Sequence, residues 1–491
     1  MRARLVVRRI LVVMRSLLFL ALTGLAVGCD DGLAPIDAGA IEAGASDAPV
    51  EPAPDATADS GLTDAGAPAS LLFLRDEGGG ALILRGTNIE GASKYAPDHL
   101  PRQGYDDFLS LREDLGLDAI RLLVFWQAIE PAPGDYDETY LAAIADIARQ
   151  AGDAGLFVVV DMHQDVFGAG FGFTGAPRWA CDEALYASFE PPAGSWALGY
   201  AEPEVEACFD RFWTDPTTRA AFAAAWARLA RELRDVPGIL AYELLNEPSN
   251  GSVTPRTFET MRAPAVYEAV TDAIRAEDPR PFVFFGPASP SNVGLPTNLV
   301  PPARERTVYA PHLYSPSLEL GGGYDGNPAA LERQLAVIGA DAMERGRPFV
   351  ITELGVQPAL PGAADYVRDL FDALDGARAS ALQWEIRGGY DLVDDERRPT
   401  AVGVAMARPY PSRTAGTPRS FAWDATSRSF VLEWDEDEPA AEGETIVQAP
   451  RVAFPDGFVA RLDDGGSLRA GETDVSIPRV GGVRRLVLSA P

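Results

Sequence analysis

The chain has 491 residues, 47% of them hydrophobic and 23% charged, which excludes wholesale disorder, a collagen-like repeat and a short disulfide scaffold. Acidic residues outnumber basic ones by 72 to 42, and the formal net charge of −30 argues against a nucleic-acid partner, because phosphate binding requires a basic face. This length accommodates one large domain and a smaller one.

Residues 1–28 are predicted to be a lipoprotein signal peptide. A basic start that reaches Arg15 precedes an apolar run ending in small residues, as in secretory signals. The run Leu25-Ala26-Val27-Gly28-Cys29 resembles the lipobox of bacterial lipoproteins, in which the cysteine becomes the lipid-modified N-terminus. We therefore expect an exported protein that Cys29 anchors to a membrane or at the cell surface. An ordinary cleaved signal with a chance cysteine is the alternative.

Residues 29–70 are predicted to be a disordered acidic linker. They are mostly Ala, Pro, Gly, Asp and Ser, and they contain no lysine, arginine or aromatic residue. Such a segment buries too little apolar surface to offset the entropy lost on ordering. Behind Cys29 it would tether a domain above a membrane, or serve as a spacer with no required length.

Between residues 71 and 408, apolar runs alternate with amphipathic segments. Continuous apolar strands separated by helices predict a parallel sheet covered on both faces, and eight such units fit a closed (β/α)8 TIM barrel. An open doubly wound sheet is the alternative, but it would need a glycine-rich phosphate turn after the first strand, which is missing. The predicted strands are 82–88, 119–127, 156–165, 239–247, 281–286, 307–314, 348–354 and 381–386, and the predicted helices are 105–115, 140–154, 218–234, 258–277, 329–345 and 365–374.

Two cysteines, Cys181 and Cys208, lie in the long segment that follows the third predicted strand. Because an exported chain folds where disulfides persist, we expect them to be paired; two free thiols are the alternative. A metal site is not expected, since the chain has three histidines and no Cys/His cluster.

The helical periodicity disappears after residue 408. Short alternating runs separated by turn signals such as Pro455-Asp456-Gly457 predict a small antiparallel β-sandwich over residues 409–491. The predicted strands of this domain are 420–423, 429–434, 445–449, 459–462 and 484–488.

Functional side chains of a (β/α)8 barrel lie at the C-terminal ends of its strands. Glu247 ends the fourth predicted strand and Glu353 lies at the end of the seventh. Glycoside hydrolysis needs two such carboxyl groups, one to protonate the glycosidic oxygen and one to attack the anomeric carbon or activate water. Their like charges are expected to raise the pKa of the proton donor. Other candidates at these strand ends are Arg121, His163, Asp165, Asn246, His312, Tyr314 and Trp384.

These motifs resemble the retaining (β/α)8 enzymes of glycoside hydrolase family 5. Asn246-Glu247-Pro248, His312-x-Tyr314 and Glu353 carry the resemblance to the family. The runs Asp161-Met162-His163-Gln164-Asp165 and Gly175-Ala176-Pro177-Arg178-Trp179 are similar to its endoglycoceramidase and glycolipid β-glucosidase branch. The resemblance covers residues 82–408, and the branch also has a small C-terminal β-domain.

The resemblance implies a role for each matched residue. Glu247 would be the acid/base and Glu353 the nucleophile of a double displacement with retention, and Arg121 would favour the ionised nucleophile. Asn246 would bind the sugar 2-hydroxyl and Tyr314 would orient the nucleophile. The other implied substrate contacts are Lys94, His163, Asp165, His312, Trp179 and Trp384. No cofactor or metal is implied, and we expect a monomer.

The long segment after the third predicted strand, residues 166–217, suggests the substrate. It is rich in aromatic residues and glycine, as a slot for a lipid aglycone would be. We therefore predict hydrolysis of the bond between a sugar head group and a lipid. A mini-core held by the disulfide is the alternative account of these aromatic residues. The alternative functions are a family 5 endoglucanase or other β-glycosidase on oligosaccharides, and a non-catalytic carbohydrate-binding lipoprotein.

Overall fold

The structure, a computed structural model, describes residues 72–193 and 195–491. The predicted signal peptide, the lipidation site Cys29 and the linker lie outside the described residues. Within these two ranges, no helix combines the length and the apolar character that crossing a membrane requires.

A barrel of parallel strands forms the larger part of the described chain. Two short antiparallel strands, β1 (Leu74–Arg75) and β2 (Ala81–Leu82), precede it. The barrel strands follow one another around the sheet in chain order, and they are β3 (Arg85–Ile89), β4 (Ala119–Val124), β5 (Phe157–Met162), β6 (Ile239–Glu243), β7 (Phe282–Phe285), β8 (Thr307–Tyr309), β9 (His312–Leu313), β10 (Val350–Leu354) and β11 (Ser380–Gln383).

The barrel is closed, with β8 and β9 as two pieces of its sixth strand. β8 pairs with β7, β9 pairs with β10, and β11 pairs with β3. Between β8 and the start of β10, the amide of Tyr309 donates to the carbonyl of Pro348 at 2.9 Å. Every strand is parallel to its neighbours, which confirms the predicted (β/α)8 class.

Helices cover the outside of the barrel, and local signals set their ends. The carboxylate of Asp137 caps one helix by accepting from the amides of Thr139 and Tyr140, and Gly116 ends another with φ 73°. The described helices are α1 (Tyr105–Leu115), α2 (Trp126–Ile129), α3 (Glu138–Asp153), α4 (Glu183–Ser188), α5 (Pro203–Thr214), α6 (Pro216–Leu233), α7 (Pro255–Thr257), α8 (Ala263–Glu277), α9 (Pro316–Glu319), α10 (Pro328–Glu344), α11 (Ala363–Ala377) and α12 (Ala401–Met406).

The C-terminal residues form the predicted antiparallel β-sandwich. Its strands are β12 (Tyr410–Thr414), β13 (Thr417–Asp424), β14 (Ser429–Asp435), β15 (Glu444–Gln448), β16 (Val459–Leu462), β17 (Arg469–Ala470), β18 (Asp474–Pro478) and β19 (Val483–Ser489). One sheet has the order β1-β2-β12-β15-β18-β17 and the other the order β13-β14-β19-β16.

The two domains share structure at the bottom of the barrel. β2 pairs with β12 of the sandwich, and Ile83 belongs to the sandwich core. Residues 74–83 therefore pack in both domains, since Leu74 and Leu82 belong to a core cluster with barrel residues and Ile83 belongs to the sandwich core. The hydroxyl of Tyr410 adds a hydrogen bond to the carbonyl of Gly116 at 2.9 Å.

The long segment after β5 packs mostly against itself. Cys181 and Cys208 form the predicted disulfide, with their Cα atoms 5.6 Å apart. Phe171 contacts the rings of Tyr186 and Phe189, with centroids 4.8 Å and 4.9 Å away. These contacts support the mini-core interpretation for the inner aromatic residues of this segment.

Candidate active site

Two carboxyl groups meet at the C-terminal mouth of the barrel. Glu353 lies on β10, and Glu247 lies four residues beyond the end of β6. One oxygen of each carboxylate and one ring nitrogen of His312 all lie within 4.8 Å of one another. This is close to the separation of about 5 Å that a retaining glycosidase uses, and shorter than the gap an inverting enzyme leaves for water.

The backbone turns sharply to bring Glu247 into this position. Glu247 adopts φ 39°, which is unusual for a residue other than glycine. The side-chain amide of Gln164 donates to the carbonyls of Asn246 and Glu247, at 3.0 Å in each case. Gln164 therefore holds the turn and ties it to the end of β5, a role that its place in the sequence motif did not predict.

Arg121 is the fully buried centre of the site. Its guanidinium binds Glu353, makes two hydrogen bonds to Glu243 at 2.8 Å and 3.1 Å, and contacts Asp161 at 3.0 Å. It also donates to the side-chain oxygen of Asn246 at 2.9 Å. Burial alone raises the pKa of Glu243, but the charges and hydrogen bonds of Arg121 and His312 together lower this pKa to about 2. The geometry therefore places Arg121 beside the predicted nucleophile.

Glu353 is held by groups from the neighbouring strand β9 and the residue just after it, and by Arg121 from β4. Tyr314 donates its phenol hydrogen to one carboxylate oxygen at 2.9 Å, and Arg121 occupies the other oxygen. The Nδ1 atom of His312 lies 3.4 Å from Glu353. Only 6% of the Glu353 side chain is exposed, so its orientation is fixed by these three partners.

Glu247 has different partners and more contact with solvent, with 20% of its side chain exposed. His312 Nδ1 lies 3.0 Å from its Oε1 atom, and the side-chain amide of Asn292 donates to the same oxygen at 2.9 Å. Asn292 was missed in the sequence. The sequence contained a weak indication that a polar residue was missing here, because the fifth predicted strand supplied no polar side chain whereas the strands on both sides of it did.

The proton in this cluster lies on the histidine. Burial alone lowers the pKa of His312, but Glu353, Glu243 and Glu247 together raise it to about 10. Burial raises the pKa of Glu247, but the hydrogen bond and charge of His312 outweigh it and lower this pKa. The expectation that two like charges would raise the pKa of the donor is therefore wrong for the free site, because the imidazolium lies between the two carboxylates.

Four further predicted residues form one wall of the site. The ring of Trp384 stacks on His163, with centroids 5.7 Å apart, and the ammonium of Lys94 lies 4.6 Å from the Trp384 ring centroid. Lys94 also bonds Asp165 at 2.9 Å. Burial lowers the pKa of Lys94, but Asp165 and Glu353 reverse this and raise it. Burial and the charge of Lys94 lower the pKa of His163, so its ring is neutral. The Nδ1 atom of this ring lies 2.7 Å from the carboxylate of Asp161.

Trp179 is not among the residues that surround the carboxylates. Its indole nitrogen donates to the carbonyl of Glu130 at 3.1 Å, and its ring meets Trp126 edge to face. These contacts are those of a half-buried packing residue, and a substrate contact by Trp179 stays a prediction.

Within residues 72–193 and 195–491, Glu247, His312 and Glu353 have ligand atoms close enough together to hold a metal ion. The donor set does not fit a cation, because the Nδ1 atom of His312 already lies against two carboxylates and the raised pKa keeps the ring protonated.

A barrel with two carboxyl groups at this separation defines a glycoside hydrolase. The cellulase family, glycosyl hydrolase family 5, matches residues 77–389, and the glycoside hydrolase family 5 C-terminal domain matches residues 408–480. The chain belongs to glycosyl hydrolase family 5.

Individual proteins similar to this chain include enzymes that, by their names, act on glycolipids. The chain is 28% identical to "Endoglycoceramidase I" of Rhodococcus hoagii (strain 103S), over 80% of this chain and 81% of that protein. It is similar to the structure "Endo-glycoceramidase II from Rhodococcus sp.: Ganglioside GM3 Complex", with a TM-score of 0.78, 28% identity, and coverage of 86% of this chain and 100% of the other. The structure "Endo-glycoceramidase II from Rhodococcus sp.: Lactosyl-Enzyme Intermediate" has a TM-score of 0.76, 27% identity and the same coverage.

Proposed function

We propose that this protein is a retaining β-glycosidase that cuts the bond between a sugar head group and a lipid aglycone. The observation that carries the proposal is the placement of Glu247 and Glu353, with oxygens within 4.8 Å at the mouth of the barrel. Glu353 would attack the anomeric carbon while Glu247 protonates the leaving oxygen, forming a glycosyl-enzyme. Glu247 would then deprotonate the water that releases the sugar.

The environments of the two carboxylates fit these roles. Glu353 is oriented by the guanidinium of Arg121 and the phenol of Tyr314, as a nucleophile requires. Glu247 is the more exposed of the two, so the incoming water can reach it. Its proton would come from His312 through the 3.0 Å contact between Nδ1 and Oε1. Asn292 would keep that oxygen aligned during the transfer.

Apolar side chains around the barrel mouth support a lipid aglycone. Leu320, in the segment after β9, is 89% exposed, and Met261, after β6, is 74% exposed. Trp196 and Leu198 project from the long segment after β5. Exposed apolar groups grouped at one end of a protein are typical of a surface that meets lipid or another protein. The relatives named endoglycoceramidase, one of them in complex with a ganglioside, support the same substrate class.

The chemistry is tested by removing the nucleophile. Glu353→Gly should reduce turnover of an aryl β-glycoside by several orders of magnitude, and added azide should restore part of it as a glycosyl azide of inverted configuration. Glu319→Gln, which changes another carboxyl group near the mouth, serves as the control and should retain turnover. Near-normal activity of Glu353→Gly would contradict the assignment.

The substrate class is tested separately. The parent enzyme should hydrolyse a β-glucosyl or lactosyl ceramide in mixed micelles faster than a cello-oligosaccharide, and should release the lipid whole. Leu320→Ser should slow hydrolysis of the lipid substrate severalfold and leave a soluble aryl glucoside unaffected. A preference for cello-oligosaccharides would instead favour a family 5 endoglucanase.

We propose further that the enzyme is exported and anchored through Cys29. The disulfide between Cys181 and Cys208 supports an oxidising compartment. In a bacterial host, Cys29→Ser should move the protein from the membrane fraction to the soluble fraction, whereas Cys181→Ser should not. A parent protein that is already soluble would contradict the anchor.

A further inference from the structure

A second cavity lies at the opposite end of the barrel from the carboxylates. It has a volume of about 490 Å³, within the range of small-molecule sites. Its walls come from Phe73 and Arg75 at β1 and from residues at or just before the start of β7, β8 and β10. Glu353 and Glu247 lie instead near or beyond the C-terminal ends of their strands. The cavity is therefore separate from the active site by the length of the barrel strands.

The lining is strongly basic in a protein of net charge −30. Four arginines contribute to it, together with two phenylalanines and the exposed Glu305. Among residues 72–193 and 195–491, the guanidinium groups of Arg75, Arg306 and Arg347 have no carboxylate within 4.0 Å. The fourth, Arg304, is neutralised by Asp272 at 2.7 Å. Three of the arginines that line this cavity thus have no ion-pair partner in the part of the chain that the structure describes.

Neutral groups hold these arginines in place. Arg75 donates to the carbonyls of Gly79 and Gly416, at 2.7 Å and 3.0 Å. Arg347 donates to the Thr307 hydroxyl at 2.8 Å and to the carbonyl of Pro302 at 3.2 Å. Backbone carbonyls and hydroxyls orient a guanidinium but leave its charge in place, so the positive field is fixed before any ligand arrives.

Arg306 is the most available of the three. Its guanidinium lies 4.2 Å from the centroid of the Phe282 ring and makes no hydrogen bond from its side chain to the described residues. Behind it, Arg275 donates to the carbonyls of Pro281 and Arg306. Burial and the charge of Arg306 lower the pKa of Arg275, as expected where like charges are held together.

We propose that this cavity is a binding site for a phosphate ester. Guanidinium groups bind phosphate oxygens through paired, charge-assisted hydrogen bonds. Phe73 and Phe282 offer apolar surface to the alcohol part of the ester. Both a soluble phosphate ester and the head group of an anionic phospholipid have this chemistry. The proposal is independent of the sugar chemistry at the other end of the barrel.

The first arm of the test is calorimetric titration of the full chain with sn-glycerol 3-phosphate and with inorganic phosphate, at constant ionic strength because exposed charges are screened. We expect saturable binding of the ester, weakened about tenfold in Arg306→Gln by loss of one charge-assisted interaction. Arg428→Gln is the matched control, since Arg428 is also exposed and also has positive φ, 46° against 54°. Both variants should hydrolyse a soluble aryl glycoside like the parent, which verifies folding.

The second arm uses vesicles of phosphatidylcholine with and without phosphatidylglycerol. A preference for the phosphatidylglycerol vesicles that Arg306→Gln removes supports the head group as the source, because any lipid anchor contributes equally to both vesicle types. Binding of the soluble ester alone, again sensitive to Arg306→Gln, supports a free phosphate ester. Absence of binding in both arms, or binding that Arg306→Gln leaves unchanged, overturns the proposal.

Discussion

At the scale of single residues, His312 is the side chain that contacts both carboxylates of the candidate site. Its Nδ1 atom lies 3.0 Å from Glu247 and 3.4 Å from Glu353. The protonated ring lowers the pKa of Glu247, although a second carboxylate lies close by. In the proposed mechanism, Glu353 would attack the sugar while this proton would pass to Glu247.

The pH dependence of activity follows from this arrangement. Because the pKa of His312 is raised to about 10, the cluster keeps its proton through neutral pH and loses it as the pH approaches 10. In His312→Gln the group that lies against Glu247 and supplies its proton is lost, and the ordinary pKa of a glutamate is only about 4.3. The alkaline limb of kcat/KM on an aryl glycoside should therefore move to lower pH by more than about one unit.

His99→Gln is the control for that profile, since His99 bonds Gln127 and the carbonyl of Ser93 rather than the two carboxylates. An alkaline limb that stays in place in His312→Gln would mean that the proton does not come from this cluster.

Asn292 is a positioning residue for Glu247, and its loss should depend on the leaving group. Asn292→Ala removes the 2.9 Å hydrogen bond to Glu247 Oε1. Alkyl or lipid leaving groups need protonation, so kcat/KM on them should fall about tenfold or more, whereas a dinitrophenyl glycoside, which leaves without an acid, should be little affected. Asn298→Ala, at an exposed position, should leave both rates unchanged. Equal losses on both substrates would indicate a general structural defect.

At the scale of elements, residues near the starts of the barrel strands contact the C-terminal domain, whereas residues at the ends of these strands form the candidate active site. Asp118 directly precedes β4, and its carboxylate accepts from the amide of Arg85 at 2.8 Å. Its second oxygen is buried without a hydrogen-bond partner, and Tyr410 of the sandwich lies beside it. Burial raises the pKa of Asp118 from 3.8 to about 7, so this carboxyl group is neutral in weakly acidic solution.

The stability of the fold should respond to that shift. The folded protein keeps the Asp118 proton between about pH 4 and pH 7, where the unfolded chain has released it. The group's contribution is therefore complete below about pH 4, and the free energy of unfolding falls as the pH rises to about 7. Asp118→Asn should make that decline less steep in urea titrations at several pH values.

Asp106→Asn, at an exposed position of α1, is the control and should keep the slope of the parent. Burial also raises the pKa of Glu385 to about 7, but this group is common to all three proteins and cancels in the comparison. A slope that Asp118→Asn leaves unchanged would contradict the role of Asp118.

At the scale of the whole molecule, the barrel and the sandwich could be predicted from periodicity because each strand is either buried on both faces or on one. The rim residues Glu247, His312 and Glu353 could be predicted because their polar side chains end or follow apolar strands. Asn292 could not, because it lies seven residues beyond the end of β7, where no period places it. The pairing of β2 with β12 could not be predicted from the sequence either, because it joins residues more than 300 positions apart.

That pairing predicts that the barrel does not fold alone. A chain ending at residue 408 would lose β12 and leave the edge of β2 unpaired and Ile83, now in the sandwich core, exposed. Unpaired edges and exposed apolar side chains promote aggregation, so the truncated protein should be insoluble. Insertion of Gly-Ser after Gly465, in an exposed turn of the same domain, should instead leave solubility and aryl glycosidase activity unchanged. A soluble, fully active truncated chain would show that the sandwich is dispensable for folding.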